Sequence, residues 1–338
     1  MKCTKVFAAL GLAAMVSAVP LHAAEFDDGQ SIAFNKALAG KKVVFVPVSM
    51  SFDLPQAWAE AMGKAAQTYG FKFSIRDPNW SPDAGAQAIT QLISEKPDLI
   101  VVHNIDMQVY ARLMKRAMEA GITVLQVNLK SSQNSNAYVG ANWYNIGRMQ
   151  AEMAVKACGK GSGKNGKVAI TQGTPTNPNN AIELQAMEDV FKNNPEIKVV
   201  SNQSADWDAA KAHAITSTVL KQHPDLCAVL GMWEVMDAGA AAAIKEAGKT
   251  GVVQLITNGG GRGPACESVG SGAFNGYVSY DVPGQNRDLV NAIKILLQTK
   301  PTANAIPFAL YSPLTELNKS NLTATSCWSM EQVKAASY

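Results

Sequence analysis

Lys96-Pro97-Asp98-Leu99-Ile100-Val101-Val102-His103, followed later by Gly121-Ile122-Thr123-Val124-Leu125-Gln126-Val127, is the stretch that decides the fold. Residues 99–103 and 123–127 are continuous, β-branched apolar runs bounded by Pro, Gly and Asn, too short for helices. Between them Leu113, Met114 and Ala117 recur at helical spacing, and Gly121 stands where a helix would end. Strand, amphipathic helix, strand is a βαβ unit. Strands apolar on every residue belong to a parallel sheet covered on both faces.

The pattern extends in both directions. Strands are predicted at 42–48 and 71–76 before this unit and, after it, at 168–171, 199–202, 227–231, 252–257 and 276–280. The intervening helices show one apolar face, as in Ala57, Ala61, Met62 and Ala65, or Ile89, Leu92 and Ile93. Ser81-Pro82 and Asp208 mark helix starts, and Gly248 marks another end. The alternation breaks at 129–142, a polar stretch with one short extended segment at 137–139, which reads as a crossover. A second series then begins with a helix at 144–158. Pro283 opens a further helix to about Thr299, and an irregular tail with Pro301, Pro307 and Pro313 follows. No repeat of solenoid or propeller length is present, and no low-complexity linker separates the halves.

With 338 residues, 47% of them hydrophobic, the chain can bury the cores of two domains. Lys2 and Lys5 precede an apolar run at 6–19, with small residues at Ala23-Ala24. This reads as a cleavable signal peptide over residues 1–23 and a soluble periplasmic protein, since the run is too short to span a bilayer. Removing it takes away two Lys and no acid, which leaves 28 Lys and Arg against 27 Asp and Glu, a net charge of +1. A nearly neutral chain with scattered charges argues against nucleic acid and anionic membranes as partners. Four cysteines remain, Cys158, Cys227, Cys266 and Cys327, which allow three pairings. The reading favours Cys266 with Cys327, both in late loops, and Cys158 with Cys227, for which buried free thiols are the alternative.

Catalytic motifs fail on inspection. Gly159-Lys160-Gly161-Ser162-Gly163-Lys164 lacks the spacing and following Ser or Thr of a phosphate loop, and Gly259-Gly260-Gly261-Arg262-Gly263 lacks dinucleotide-binding spacing. No nucleophile elbow occurs, and His, Cys, Asp and Glu do not cluster at metal-ligand spacing. No catalytic residue, metal or cofactor is therefore assigned. The informative residues lie beyond the carboxyl ends of the strands, where open parallel sheets bind ligands. There the chain places Phe52, Asp53 and Gln56; Trp80; His103, Asn104 and Asp106; Asn128; Asn177 and Asn180; Trp207; Trp233 and Glu234; Asn258; and Tyr280. Amides that both donate and accept, beside rings with a polar edge, suit a small neutral hydroxylated or amide-bearing ligand. Trp58, within a helix, and Trp328, in the tail, read as core.

The chain resembles the type I periplasmic solute-binding proteins of ABC importers, in the ribose and galactose group. The resemblance is carried by the run from Val44 to Ser49 leading to Phe52, by the 96–102 and 121–124 segments, by Ile170-Thr171-Gln172-Gly173, by Ala205-Asp206-Trp207-Asp208, by the run from Asp225 to Gly231, and by Ile256-Thr257-Asn258-Gly259. It implies an α/β fold of two doubly wound Rossmann-like domains with parallel sheets, joined by a three-crossover hinge. The N-terminal lobe would comprise 40–140 and 281–310, the C-terminal lobe 141–280 and 311–330. The lobes would close on one ligand and present it to a membrane permease, the chain acting as a monomer without catalysis. Ligand positions carried over are Phe52, Asp53, Gln56, His103 or Asn104, Asn128, Asn177 or Asn180, Trp207, Trp233, Asn258 and Tyr280, with the ligand stacked among Trp80, Trp207, Trp233 and Tyr280. Sugar-binding members often have Asp-Arg, Asn-Asp and Asp where this chain has Asn128-Leu129, Trp233-Glu234 and Asn258. Charge-assisted bonds to sugar hydroxyls are lost there, which suggests a less polar or larger ligand, such as a deoxy sugar, a substituted polyol or a non-sugar aromatic compound. Alternatives are a protein that presents its ligand to a chemoreceptor, or an exported enzyme built on buried Asp53, Asp106 or Glu234.

Overall fold

The computed structural model describes residues 29–338; the signal-peptide expectation at 1–23 lies outside them. Helix α1 (Gln30–Leu38) leads into β1 (Lys42–Val46), α2 (Asp53–Tyr69), β2 (Lys72–Ile75), α3 (Pro82–Glu95), β3 (Leu99–Val102), α4 (Val109–Glu119), β4 (Thr123–Val127) and β5 (Ala137–Gly140). The second series runs α5 (Trp143–Cys158), β6 (Lys167–Gln172), α6 (Pro178–Lys192), β7 (Lys198–Ser204), α7 (Ala209–Gln222), β8 (Ala228–Gly231), α8 (Glu234–Glu246), β9 (Gln254–Gly259), α9 (Gly263–Ser271) and β10 (Gly276–Tyr280). After it come α10 (Val282–Thr299), β11 (Phe308–Tyr311), β12 (Leu314–Leu317) and α11 (Met330–Ala335).

Two six-stranded sheets result, ordered β11-β5-β4-β3-β1-β2 and β12-β10-β9-β8-β6-β7. All pairings are parallel except β10 with β12. The strands predicted from continuous apolar runs are central: every residue of β3, β4 and β8 is buried, whereas the edge strand β2 alternates. Ser81 and Asp208 cap α3 and α7 through side-chain oxygens that accept from Ala84 N and Lys211 N. The chain passes between the sheets after β5, after β10 and between β11 and β12. This is the double-lobed α/β architecture the resemblance implied.

The extended segment expected at 137–139 is strand β5, an interior strand paired with both β4 and β11, and the chain crosses after it. Two expectations need correction. The tail is not irregular, because β11 and β12 each complete one sheet as edge strands. Cys266 lies in helix α9, not in a loop. Both disulfides are present, Cys158–Cys227 and Cys266–Cys327. The second ties the tail to α9, where Trp328 donates its indole N–H to Gly260 O at 2.6 Å. The chain then returns to the first lobe. Ser329 opens α11 with a reciprocal capping box, Val333 is buried, and Lys64 of α2 donates to the carbonyls of Val333 and Ala336 at 3.3 and 3.0 Å.

Candidate functional site

Each sheet sends a tryptophan toward the space between the lobes by the same backbone device. After β2, Asn79 and Trp80 hold φ of 48° and 67°; after β7, Asp206 and Trp207 hold 52° and 65°. Two successive non-glycine residues in the left-handed region are costly, roughly 1–2 kcal/mol each, so the surrounding bonds must enforce them. Trp80 N donates to Val48 O at 2.9 Å, and Asn79 N donates to Asp77 Oδ1 at 2.9 Å. Ser204 Oγ accepts from Asp206 N at 3.3 Å, and Asp208 N donates to Ala205 O at 2.9 Å. Gly173 is required beside Trp207, since a Cβ there would stand 2.1 Å from the indole ring.

Phe52 and Trp233, the N-cap residues of α2 and α8, complete the cage. Phe52 stacks on Trp80 with centroids 5.3 Å apart, and Trp233 lies 5.5 Å from Phe52, 6.2 Å from Trp80 and 6.3 Å from Trp207. Rings from both lobes therefore meet. They bound a narrow cavity of about 50 Å³. Two polar contacts flank it between the lobes: Arg262 pairs with Asp53 at 3.1 Å, and Asn177 Nδ2 donates to Ile105 O at 3.3 Å.

No charged side chain lines the cavity. Its polar members are His103, Asn128, Asn177, Asn179, Asn258 and Tyr280. His103 packs edge-on to Trp58 at 4.9 Å, and burial lowers its pKa to about 3, so it is a neutral imidazole. Asn128, with φ 57°, has its carbonyl held by Tyr138 Oη at 2.8 Å and Trp143 Nε1 at 2.5 Å. Asn258 Nδ2 donates to Glu183 Oε2 at 2.7 Å and to Gln150 Oε1 at 3.2 Å, and Asn179 Nδ2 donates to Glu183 Oε1 at 3.1 Å.

Glu183 belongs to a group of buried acids in the second lobe. Burial raises its pKa well above the carboxylate range, against the lowering effect of the Asn179 and Asn258 amides. Burial likewise raises Glu234 to about 7, opposed by the Tyr277 hydroxyl and Arg262, and Asp237 to about 7, opposed by Thr257. Asp237 Oδ2 accepts from Thr257 Oγ1 at 2.5 Å and Trp233 N at 3.1 Å, so it anchors the Trp233 loop. Of the three carboxylates an exported enzyme would need, Glu234 alone is buried, and Tyr277 donates to it. Asp53 faces Arg262, and Asp106 accepts from Gln108 N and Val109 N at the start of α4.

Phe52, Trp80, His103, Asn128, Asn177, Trp207, Trp233, Asn258 and Tyr280 are brought together around this one cavity. Four predicted positions are not. Asp53 makes the interlobe ion pair and lines a smaller adjoining cavity. Gln56 Nε2 donates to Met50 O at 2.8 Å. Asn104 is buried with its amide donating to Gln126 Oε1 and Leu129 O, and Asn180 Nδ2 donates to Gln172 Oε1 at 2.8 Å. Sequence reasoning missed Asn179 and Trp143 as lining residues. The Asn177-Pro178-Asn179-Asn180 cluster was the available signal for the first. Trp58 and Trp328 are buried, as expected of core residues.

A family model described as periplasmic binding protein domain matches residues 43–301. The chain is similar to the D-ribose/D-allose-binding protein of Pseudomonas aeruginosa, 27% identical over 50% of this chain and 53% of that protein. It is also similar to the D-apiose import binding protein of Actinobacillus succinogenes, 24% identical over 61% and 66%. The matches thus span between half and two thirds of the length of these relatives. An ABC transporter solute-binding protein from Burkholderia graminis, solved in complex with D-arabinose, shares the fold with a TM-score of 0.76 at 22% identity, over 85% of this chain and 98% of that one.

Proposed function

The chain belongs to the periplasmic binding protein domain family, and from that premise we propose that it is the substrate-binding component of an ABC importer. It captures a small ligand of the sugar or polyol kind, or a derivative, between its lobes and delivers it to an inner-membrane permease. The observation that carries this reading is a single cavity bounded by rings from both lobes, Phe52 and Trp80 on one side, Trp207 and Trp233 on the other. A ligand touching both walls favours the closed arrangement by its extra contacts there, and a membrane partner can read that state. The relatives named for D-ribose, D-allose and D-apiose support a ligand of sugar size. Export through residues 1–23, a periplasmic location and a monomeric state belong to the same proposal, as does a chemoreceptor as a second reader of the closed form.

The test is the melting temperature of the chain from Ala24 onward, unfolded and refolded to remove carried-over ligand, against sugars, polyols, nucleosides and aromatic acids. A ligand at 1,000 times its Kd adds about 4 kcal/mol to unfolding. That raises the Tm by several degrees, without turnover of the ligand. No shift with any compound of the panel, or turnover of one, overturns the reading.

A further inference from the structure

We propose that the C-terminal tail from Cys327 to Tyr338 is a strap without slack, which ties the two lobes together beside the hinge and limits how far they open. The inference goes beyond the ligand-capture reading and takes from it only that the lobes move.

The near end of the tail is fastened to the second lobe. Cys327 is bonded to Cys266 of α9. At the next residue Trp328 N donates to Gly261 O at 2.9 Å, Gly263 N donates to Trp328 O at 3.1 Å, and the indole N–H donates to Gly260 O. The far end belongs to the first lobe. The side chains of Trp328 and Val333 sit in one hydrophobic cluster with Leu54 and Trp58 of α2. Lys64 of the same helix donates to the carbonyls of Val333, Lys334 and Ala336, and Asn286 Nδ2 of α10 donates to Tyr338 Oη at 3.1 Å.

Between these anchors there is almost no chain. Only Ser329 separates Trp328 from the first residue of α11, and one extended residue reaches no further than about 3.6 Å. The tail also stands away from the hinge itself. A cavity of about 510 Å³ lies between the crossover that follows β10, at Ser279, Asp281 and Pro283, and the tail residues Thr325, Ser326 and Gln332. Trp328 is on the cleft side, where it lines the small cavity shared with Phe52, Asp53, Trp233 and Arg262. A tie displaced from the hinge toward the cleft must lengthen as the lobes part, and this one has nothing to pay out. Opening therefore breaks one set of anchors or stops short. Holding the unliganded chain near its closed form raises the population competent to grip ligand, so loosening the strap weakens binding by the factor by which that population falls.

The test needs no ligand. Met107 N donates to Thr176 O across the cleft at 3.1 Å, so hydrogen exchange at the Met107 amide reports lobe opening. In the refolded, unliganded chain, Cys266→Ser with Cys327→Ser frees the second-lobe anchor and should speed that exchange about tenfold, with a larger radius of gyration in small-angle scattering. Lys64→Met loosens the first-lobe anchor, keeps both disulfides and should act in the same direction; it serves if the cysteine variant does not fold. Cys158→Ser with Cys227→Ser is the control. That bond lies within the second lobe, so its loss should lower stability and leave the Met107 rate unchanged. Unchanged exchange at Met107 in the tail variants that fold, or equal acceleration in the Cys158 and Cys227 control, overturns the strap. Ligand capture would stand in either case, since the Tm panel tests it independently.

Discussion

The two lobes share one strand order, read outward from the second strand as β2-β1-β3-β4-β5-β11 and β7-β6-β8-β9-β10-β12, and one tryptophan loop, yet they are held together differently. The second lobe contains both half-cystines of Cys158–Cys227 and gathers Glu183, Glu234 and Asp237 in its interior. The first lobe has neither device and instead buries a neutral His103 against Trp58. Topology thus places the loops, while the side chains packed beneath them decide what each wall offers. Both walls carry rings, and the second adds amides backed by the buried Glu183.

The largest way to break this comparison is the disulfide. Closing a loop over a separation of 69 residues stabilises by about 4 kcal/mol on the chain-entropy account. Cys158→Ala with Cys227→Ala should lower stability by about that amount, with hydrogen-exchange protection lost in the second lobe first. Uniform loss across both lobes would show that they unfold as one unit.

Next comes the tryptophan pair. Trp207 is half-buried beside Gly173, whereas Trp80 is 37% exposed and held by a bond from its indole to Ser51 Oγ at 3.1 Å. Trp207→Ala should cost about 2 kcal/mol in chemical denaturation and Trp80→Ala under about 1 kcal/mol, while both weaken ligand binding. Equal stability costs would refute the assigned difference in packing.

The lobes should also respond to pH in opposite senses. The folded pKa of Glu234 and Asp237 is raised to about 7, so their contribution is present below the unfolded pKa near 4 and is lost as pH rises toward 7. His103 has a folded pKa lowered to about 3, so the unfolded chain takes up a proton first and stability is lost as pH falls below about 6.5. Between pH 5 and 6.5 acidification should strengthen the second lobe and weaken the first, by roughly 1 kcal/mol per pH unit per group. Lobe-resolved hydrogen exchange would read this, and Glu234→Gln with Asp237→Asn should reduce the slope in the second lobe only, the remainder belonging to Glu183, whose pKa burial also raises.

The smallest effect belongs to Asp53–Arg262. Each side chain is about one third exposed, at 34% and 30%, so Asp53→Asn should change stability by less than about 1 kcal/mol, with the effect fading at high salt. A larger, salt-insensitive loss would identify the pair as a main interlobe tie.

Much of this was legible from the chain. Residues 99–103 and 123–127 announced buried parallel strands, and the rings at strand ends converged because every such end in a lobe faces the same side. Three of the four positions that do not line the cavity share one physical cause. Asp53 and Gln56 lie on the first turns of α2, and Asn180 lies beside Asn179 on the first turn of α6. Successive helical residues are rotated by about 100°, so a one-residue change carries a side chain from the cavity to the protein interior.

Local patterns in the sequence were sufficient for the βα alternation, the caps at Ser81 and Asp208, and the choice of Trp80, Trp207 and Trp233 as cleft residues. Apolar period, helix caps and strand ends are properties of neighbouring residues. Only the tertiary structure decided that Arg262 faces Asp53, that Glu183 stands behind Asn179 and Asn258, that β11 and β12 divide between two sheets, and that the tail returns from Trp328 to Lys64. Each of these joins groups far apart in the chain, and such pairings are selected by the global packing of two lobes, which no local window contains.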